Sequence, residues 1–555
     1  LMKQAGNKNE VFSLKTRLKR LKRDLNKWSV FTLAIVCFLA LPIIFIGIEL
    51  FSGPGESWNH IVDHLLPDYI GNSFYLIFIC SILVLLFGVS SAWFVSRYDF
   101  LFRKQMEWLL ILPLAIPSYI VGYAYAGVFD YGGSMDLLFR EIGLNFVRID
   151  IMNRAGLAFV LSISLFPYVY VSARAFFLNQ ANNLLEASKM LGVGEMKTFF
   201  KLMLPLARPA IVAGLVLVLM EVLNDYGAAK YYGVNTFTTG IFRSWFSLEE
   251  PQTAVYLSAL LIIIIFALIL IEKWQVRKIK FTSAKTNSTQ IQRKEPKGAM
   301  HLLIFTLVFI PILLGFVIPL AQLIYWAFIT ASRVFDMEFI MISLQSFAIA
   351  IGSSLITVFF ALILIYFSKW STLASIKNIS RVGVLGYAIP GAVIAIGIMI
   401  PTLALDKWLI GVLSNFGIDT GLIINGTLIA LLYAYAVRFL AVAYNPIDST
   451  SLKVDSSIPD SSKVLGAGNI KTFFKIEFPL IKTGVFSAVI LVFIDVMKEL
   501  PLTLILKPYH IDTLAVKAFE YASDEMVMEA AIPSLFIIFT AMIPVILLNK
   551  LLIKK

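Results

Sequence analysis

Glu186-Ala-Ser-Lys-Met-Leu-Gly-Val-Gly-Glu-Met-Lys-Thr-Phe-Phe-Lys-Leu-Met-Leu-Pro-Leu206 returns 274 residues later as Asp460-Ser-Ser-Lys-Val-Leu-Gly-Ala-Gly-Asn-Ile-Lys-Thr-Phe-Phe-Lys-Ile-Glu-Phe-Pro-Leu480. Twelve of the 21 positions are identical, among them Gly192 with Gly466, Gly194 with Gly468 and Pro205 with Pro479. A repeat this long, this far apart, means that two stretches of the chain do the same job. The offset continues without gaps, pairing Glu221 with Asp495, Asp225 with Glu499, Thr239 with Thr513 and Arg243 with Lys517. A weaker echo, Ala115-Ile-Pro117 against Ala388-Ile-Pro390, falls one residue out of register.

The surroundings of the repeat set its solvent. With 59% apolar and 15% charged residues, the 555-residue chain is too apolar for a soluble protein. Crossing a hydrocarbon core takes about 20 apolar residues as a helix, and runs of that length recur along nearly the whole chain. Backbone groups in lipid must be satisfied within the segment, so these runs predict an all-α polytopic membrane protein. We place twelve spans at about 30–50, 71–96, 108–129, 154–174, 209–230, 253–273, 301–329, 343–369, 381–402, 425–443, 483–505 and 527–549. Six spans per half is an even number, so both halves enter the membrane in one direction, related by a pseudo-two-fold axis along the membrane normal.

Charge orients the chain. With both termini inside, 36 of the 47 Lys and Arg residues are cytoplasmic, as short inner loops require. The expected order is a basic cytoplasmic N-terminus (1–29), a first module (30–273), a polar cytoplasmic linker (274–299) and a second module (300–555). The basic start followed by a long apolar run reads as an uncleaved anchor. The net charge of +12 is spread over inner loops with no basic domain, which favours anionic lipid over nucleic acid as its partner. Cys37 and Cys80 both sit inside expected spans and form neither a disulfide framework nor a ligand set.

The repeated segments then fall in cytoplasmic loops at about 182–208 and 456–482. Each reads as a short amphipathic helix ending at a Gly-x-Gly turn, where glycine relieves the cost of positive φ, followed by Lys-Thr-Phe-Phe-Lys. Pro205 and Pro479 restrict the backbone before the next span. A helix lying on lipid needs only amphipathicity. Repetition of the turn and of its side chains points instead to a protein docking element.

The pattern Glu186, Ala187, Leu191, Gly192, Pro205 resembles the EAA loop of the permeases of ABC importers. The second copy departs from it at Asp460 and Ser461 but keeps Leu465, Gly466, Gly468 and Pro479. The resemblance covers nearly the whole chain. It implies that one chain supplies both permease halves in the bacterial inner (plasma) membrane. It further implies two copies of a separate cytoplasmic ABC ATPase, which uses ATP and Mg, and a periplasmic substrate-binding protein. In that family the loop is a coupling helix seated in a cleft of the ATPase. No cofactor is expected on this chain, and the absence of a Gly-x-x-x-x-Gly-Lys-Ser/Thr loop argues that it is a transport subunit and not an enzyme.

Intramembrane acids mark candidate cargo contacts, because an ionisable group in lipid is costly. Glu221 and Asp225 stand four apart on the fifth span, and Asp495 and Glu499 four apart on the eleventh, so each pair is expected on one helix face. Convergence of the four, with Tyr226, Tyr231 and Tyr232 nearby, would suit a hard cation. The alternative is structural, with Lys498 pairing Asp495 or Glu499 and Lys230 or Asn224 helping in the other half. The stretches Lys498–Pro508, Asp512–Leu514, Tyr521–Glu525, Asp225–Gly227, Tyr232–Val234 and Thr236–Gly240 resemble those of ferric iron permeases. Fused permeases for thiamine and phosphonates share the architecture and stay open, as does an ion-coupled secondary carrier, whose only support is these carboxylates. Glu249, Glu250, Asp524, Glu525 and Glu529 are candidate contacts for the binding protein, or ordinary solvated loop acids. His60 and His64, with Asp63 between, form a weak metal candidate on a short outer helix.

Overall fold

The computed structural model describes residues 26–143, 149–277, 293–371, 376, 379–380, 383–455 and 457–553. The expected N-terminal basic stretch up to residue 25 and most of the expected linker, 278–292, lie outside the described residues. The longer helices are α1 (Lys27–Glu49), α2 (Leu66–Arg97), α3 (Ser118–Phe129), α4 (Arg154–Met190), α5 (Leu204–Asn224), α6 (Pro251–Arg277) and α7 (Ala299–Ile312). They continue with α8 (Ile318–Val334), α9 (Met337–Trp370), α10 (Gly391–Ser414), α11 (Leu428–Ser451), α12 (Phe478–Met497) and α13 (Ala531–Ile553). No sheet forms among the described residues; one bridge pairs Tyr98 with Lys294.

Ten helical stretches are long and apolar enough to cross a membrane among the described residues, and eleven if the pair Arg103–Ala115 and Ser118–Glu141, bent by 93°, is one span. The bend falls where Pro117, extended at ψ 143°, caps α3, because a proline there can begin a helix but not continue one. Pro390 (ψ 143°) does the same for α10, so the Ala-Ile-Pro echo marks a break and not a mid-span position. The expected twelfth span corresponds to α13, whose described apolar stretch Ala531–Met542 is short for a crossing.

Two other expected spans end early. The fifth stops at Asn224 and the eleventh at Met497, not at 230 and 505. Short helices, Gly227–Tyr231 and Pro501–Leu506, follow each break.

Compact units do not follow the linear halves. One comprises the described part of Leu1–Ile48 with Gln345–Ile511; the other comprises Glu49–Leu344 with Asp512–Lys555. In the first unit α1 packs on α9 and α11. Trp28 lies 4.9 Å from Phe367 and 4.8 Å from Trp370, Phe38 lies 4.5 Å from Tyr433, and the Tyr433 hydroxyl donates to the Phe38 carbonyl. In the second unit, α2, α4 and α5 pack through small residues: a Cβ at Gly88 would stand 2.9 Å from the Val169 Cβ. There the region around α7 and α8 closes on α3, with the Tyr125 hydroxyl donating to the Leu314 carbonyl (2.8 Å) and Ser134 to Gln322 (2.9 Å).

Candidate functional site

The repeated segments fold alike. In the first copy α4 ends at a left-handed Gly192 (φ +68°), and the Val193 N–H donates to the Ser188 carbonyl at 3.0 Å. In the second, helix Ser457–Val464 ends at Gly466 (φ +83°), with Ala467 N–H on the Ser462 carbonyl (3.1 Å) and Gly466 N–H on Lys463 (2.9 Å). These are Schellman closures, in which the left-handed residue lets the chain reverse and satisfy the last helical carbonyls. Gly194 and Gly468 then cap one-turn helices, Glu195–Thr198 and Asn469–Thr472. A buried hydroxyl pair staples each turn to the helix before it, Thr198 to Ser188 (3.3 Å) and Thr472 to Ser462 (3.0 Å). Wide π-helical turns, Phe199–Met203 and Phe473–Glu477, lead into α5 and α12, with Pro205 and Pro479 in their first turns.

The two phenylalanines of each Phe-Phe pair divide the work. Phe199 lies 4.8 Å from Trp93 of α2 and 6.5 Å from Phe177 of α4; Phe473 lies 4.5 Å from Tyr366 and 6.5 Å from Trp370 of α9. Phe200 and Phe474 point outward, with Leu191 and Leu465 80% and 87% exposed beside them. Each turn, wedged against the spans, thus leaves a leucine and a phenylalanine in the open, the kind of exposed apolar surface that marks a contact with protein or membrane. The side chains of Glu186 and Ala187 lie outside the described ones; Asp460 pairs loosely with Lys463 (3.9 Å).

The copies differ in two ways. Helix α4 runs unbroken into the first turn, whereas α11 stops at Ser451 before the helix of the second copy begins at Ser457. Glu195 accepts hydrogen bonds from the Tyr98 hydroxyl (2.7 Å), Arg97 (3.4 Å) and Lys294 (3.1 Å), while its counterpart is Asn469. Burial, and then the Glu195 carboxylate, push the Tyr98 phenol up to about 12.

The intramembrane acids take up a different arrangement from the expected one. Because α5 and α12 end early, Asp225 and Glu499 lie beyond the helices that carry Glu221 and Asp495, and neither pair shares a helix face. Asp225 Oδ1 accepts the N–H groups of Ala228 (3.0 Å) and Ala229 (3.1 Å), and Oδ2 accepts from Ser118 (2.5 Å). Glu499 Oε1 accepts the Leu502 N–H (3.1 Å), and Oε2 pairs with buried Arg438 (3.2 Å). Both therefore cap the short helix after the break, satisfying first-turn donors that would otherwise be orphaned. Lys498 binds Asp495 at 2.9 Å, while Glu221 is half-buried one turn before Asp225. Tyr226 stacks on Phe242 at 3.6 Å, the Tyr232 hydroxyl donates to the Gly122 carbonyl (3.1 Å), and Tyr231 lies 4.6 Å from Tyr123.

Arg438 and Ser118 were not anticipated. Arg438 also donates to the Ile389 carbonyl (3.1 Å), and a Cβ on Gly391 would meet Glu499 Oε1 at 2.6 Å, so this glycine is what lets the ion pair close. A lone arginine in the apolar run 428–443 was the available signal.

Among the outer acids, Glu250 is held by Ser57 (2.5 Å) and Thr253 (2.7 Å), and Glu529 by Arg333 (3.7 Å). Exposed Glu249 and Glu525 both adopt positive φ, +55° and +64°. The His60 and His64 rings stand 4.8 Å apart, but no group of three or more His, Cys, Asp or Glu is placed to hold a metal among the described residues.

Residues 84–280 and 377–555 match the family described as the inner membrane component of binding-protein-dependent transport systems. The chain belongs to that family. It is a fused permease, with the family's domain present twice and one repeated Gly-x-Gly turn in each copy. The Fe(3+)-transport system permease protein FbpB 2 of Haemophilus influenzae is 26% identical over 518 residues, covering 92% of this permease and 96% of that protein. The molybdate/tungstate transport system permease protein WtpB of Methanocaldococcus jannaschii is 28% identical over 36% of this permease and 75% of its own length. The spermidine/putrescine transport system permease protein PotB of Haemophilus influenzae is 26% identical over 37% and 74%, respectively.

Proposed function

We propose that this permease carries ferric iron, delivered by a periplasmic binding protein, across the bacterial inner membrane into the cytoplasm. Similarity to an Fe(3+)-transport permease along 92% of the chain carries this reading, since the molybdate/tungstate and polyamine relatives align with little more than a third of it. Both termini are cytoplasmic in this reading, and each repeated turn seats in one of two copies of a separate ABC ATPase that binds ATP and Mg.

In this reading the coupling works through the exposed turns. When the ATPase subunits close, they drag the exposed Leu191/Phe200 and Leu465/Phe474 faces. The stapled turns do not yield, and Phe199 and Phe473 pass the displacement to the spans they touch. In this reading Asp225 and Glu499, each within its own unit, are the acids that could touch the cargo. An oxyanion cargo is the second reading, favoured by the shorter molybdate/tungstate relative and by Lys498 and Arg438, which neutralise the acids of the second half.

Reconstitution of the chain with its ATPase and binding protein in liposomes separates the readings. Ferric iron should accumulate on ATP addition, while molybdate, sulfate, spermidine, thiamine and phosphonate do not. Uptake of any of these in place of iron overturns the ferric assignment. Uptake without the ATPase overturns the importer mechanism itself.

A further inference from the structure

Beside the second docking turn is a cleft of about 620 Å³, walled by Lys27 and Trp28 at the start of α1 and by Ile470, Lys471, Phe474 and Lys475 of the repeated segment. All of it lies within one compact unit. The three lysines are exposed, and none of them pairs with a carboxylate among the described residues. Lys27 sits 5.0 Å from the Trp28 ring, which itself packs on Phe367 and Trp370. Three cations brought together around a void, with no acid among the described residues to balance them, repel one another unless an anion enters.

The chain contains its own comparison. In the first copy the cations near the turn, Arg97 and Lys294, are balanced by Glu195. The second copy has Asn469 at that position. Helix α7, the counterpart of α1 in the other module, has neither lysine nor tryptophan in its sequence. Lys471 and Lys475 have counterparts in Lys197 and Lys201 of the first copy, so what sets the second turn apart is the acid missing at Asn469 and the Lys27 and Trp28 that α1 brings beside it.

Position selects the kind of anion. Lys27 is the first residue of a membrane-spanning helix, and Trp28 is an aromatic of the type that sits at headgroup depth. Val30 and Phe31, next along α1, are exposed apolar side chains suited to acyl chains. We propose that this cleft binds the phosphate headgroup of an anionic phospholipid of the inner leaflet, tying the second docking turn to the membrane surface. Lys27, Lys471 and Lys475 hold the phosphate and Trp28 flanks it, an arrangement whose affinity falls with salt.

The test is native mass spectrometry of the full-length chain in detergent, titrated with phosphatidylglycerol or phosphatidylcholine. Wild type should retain one more phosphatidylglycerol than the K27Q/K471Q/K475Q variant, with at least ten-fold tighter binding, and should show no such preference for phosphatidylcholine. The K27R/K471R/K475R variant should behave as wild type. Equal retention by wild type and the glutamine variant overturns the proposal. So does unchanged lipid retention accompanied by a ten-fold loss of ATPase affinity, which would make the cleft a contact for an acidic protein surface. If the glutamine variant aggregates, photoactivatable phosphatidylglycerol on the wild type decides: labelling of residues 27–28 or 469–475 supports the site, and labelling only elsewhere refutes it. Neither cargo nor ATP enters these measurements, so a failure of the ferric assignment would leave their outcome unaffected.

Discussion

Gly192 and Gly466 are required for their backbone, not for space. Nothing lies within 4 Å of a Cβ placed on either, yet both have positive φ. A side chain there costs about 1–2 kcal/mol in the left-handed region, and a β-branched one more. Gly192→Val or Gly466→Val should therefore abolish ATP-driven uptake while the spans stay folded, whereas asparagine at either position should retain most of it; full uptake by both valine variants would remove these turns from the coupling path. Glu499 and Arg438 pose the opposite case, a buried pair. Removing one partner strands a charge and costs about 3–5 kcal/mol. Glu499→Ala and Arg438→Met should each lower the thermal midpoint in detergent, and the double variant should lose clearly less than the sum; additive losses would show the pair to be uncoupled. Asp225→Asn keeps an oxygen for the Ala228 and Ala229 N–H groups. Its melting should stay near wild type, so slower ferric uptake in that variant, combined with Glu499→Gln, would report a cargo role, and unchanged uptake would leave both as helix caps. Outside the spans, hydrogen bonds first from Ser57 and then from Thr253 hold Glu250 below the usual carboxylate range. A depressed folded-state value stabilises above the ordinary glutamate pKa of about 4.3 and is lost as pH falls through the lower folded value. The melting difference between wild type and Glu250→Gln should accordingly shrink on acidification below about pH 4; a constant difference would contradict it.

At the scale of elements, the geometry of the repeated turns was legible because their chemistry is local. Gly-x-Gly, Thr-Phe-Phe and the following proline lie within one short segment, and each residue acts on neighbours a few positions away. Which phenylalanine faces inward was not legible, since Phe199 and Phe473 are chosen by Trp93 and Tyr366, far off in sequence. Helix ends were misjudged for a physical reason. Hydropathy continues through Asp225 and Glu499, and an acid two residues before Gly227 or Pro501 was read as an intramembrane charge when it is also a helix-start signal. The outward aromatics are the testable part of the element. Phe200→Ser with Phe474→Ser should weaken ATPase association at least ten-fold, about 1.4 kcal/mol or more, with the membrane fold intact; undiminished association would assign the docking face elsewhere.

For the whole molecule, the sequence repeat revealed two modules but not how helices are allotted to the compact units. Linear order placed α1 with the first module, while its aromatic partners on α9 and α11 belong to the second. No periodicity within α1 could have announced this, because a lipid-facing helix and one packed on a distant partner are apolar all round alike. Asn26 donates to the Trp370 carbonyl across 344 residues. During synthesis α1 is the first of the described helices to leave the ribosome, yet it meets its companions only after α2 to α8 have been inserted. It must wait in the bilayer as a solitary helix, open to premature association or to capture by quality-control proteases, and a translational pause downstream of it would prolong that exposure.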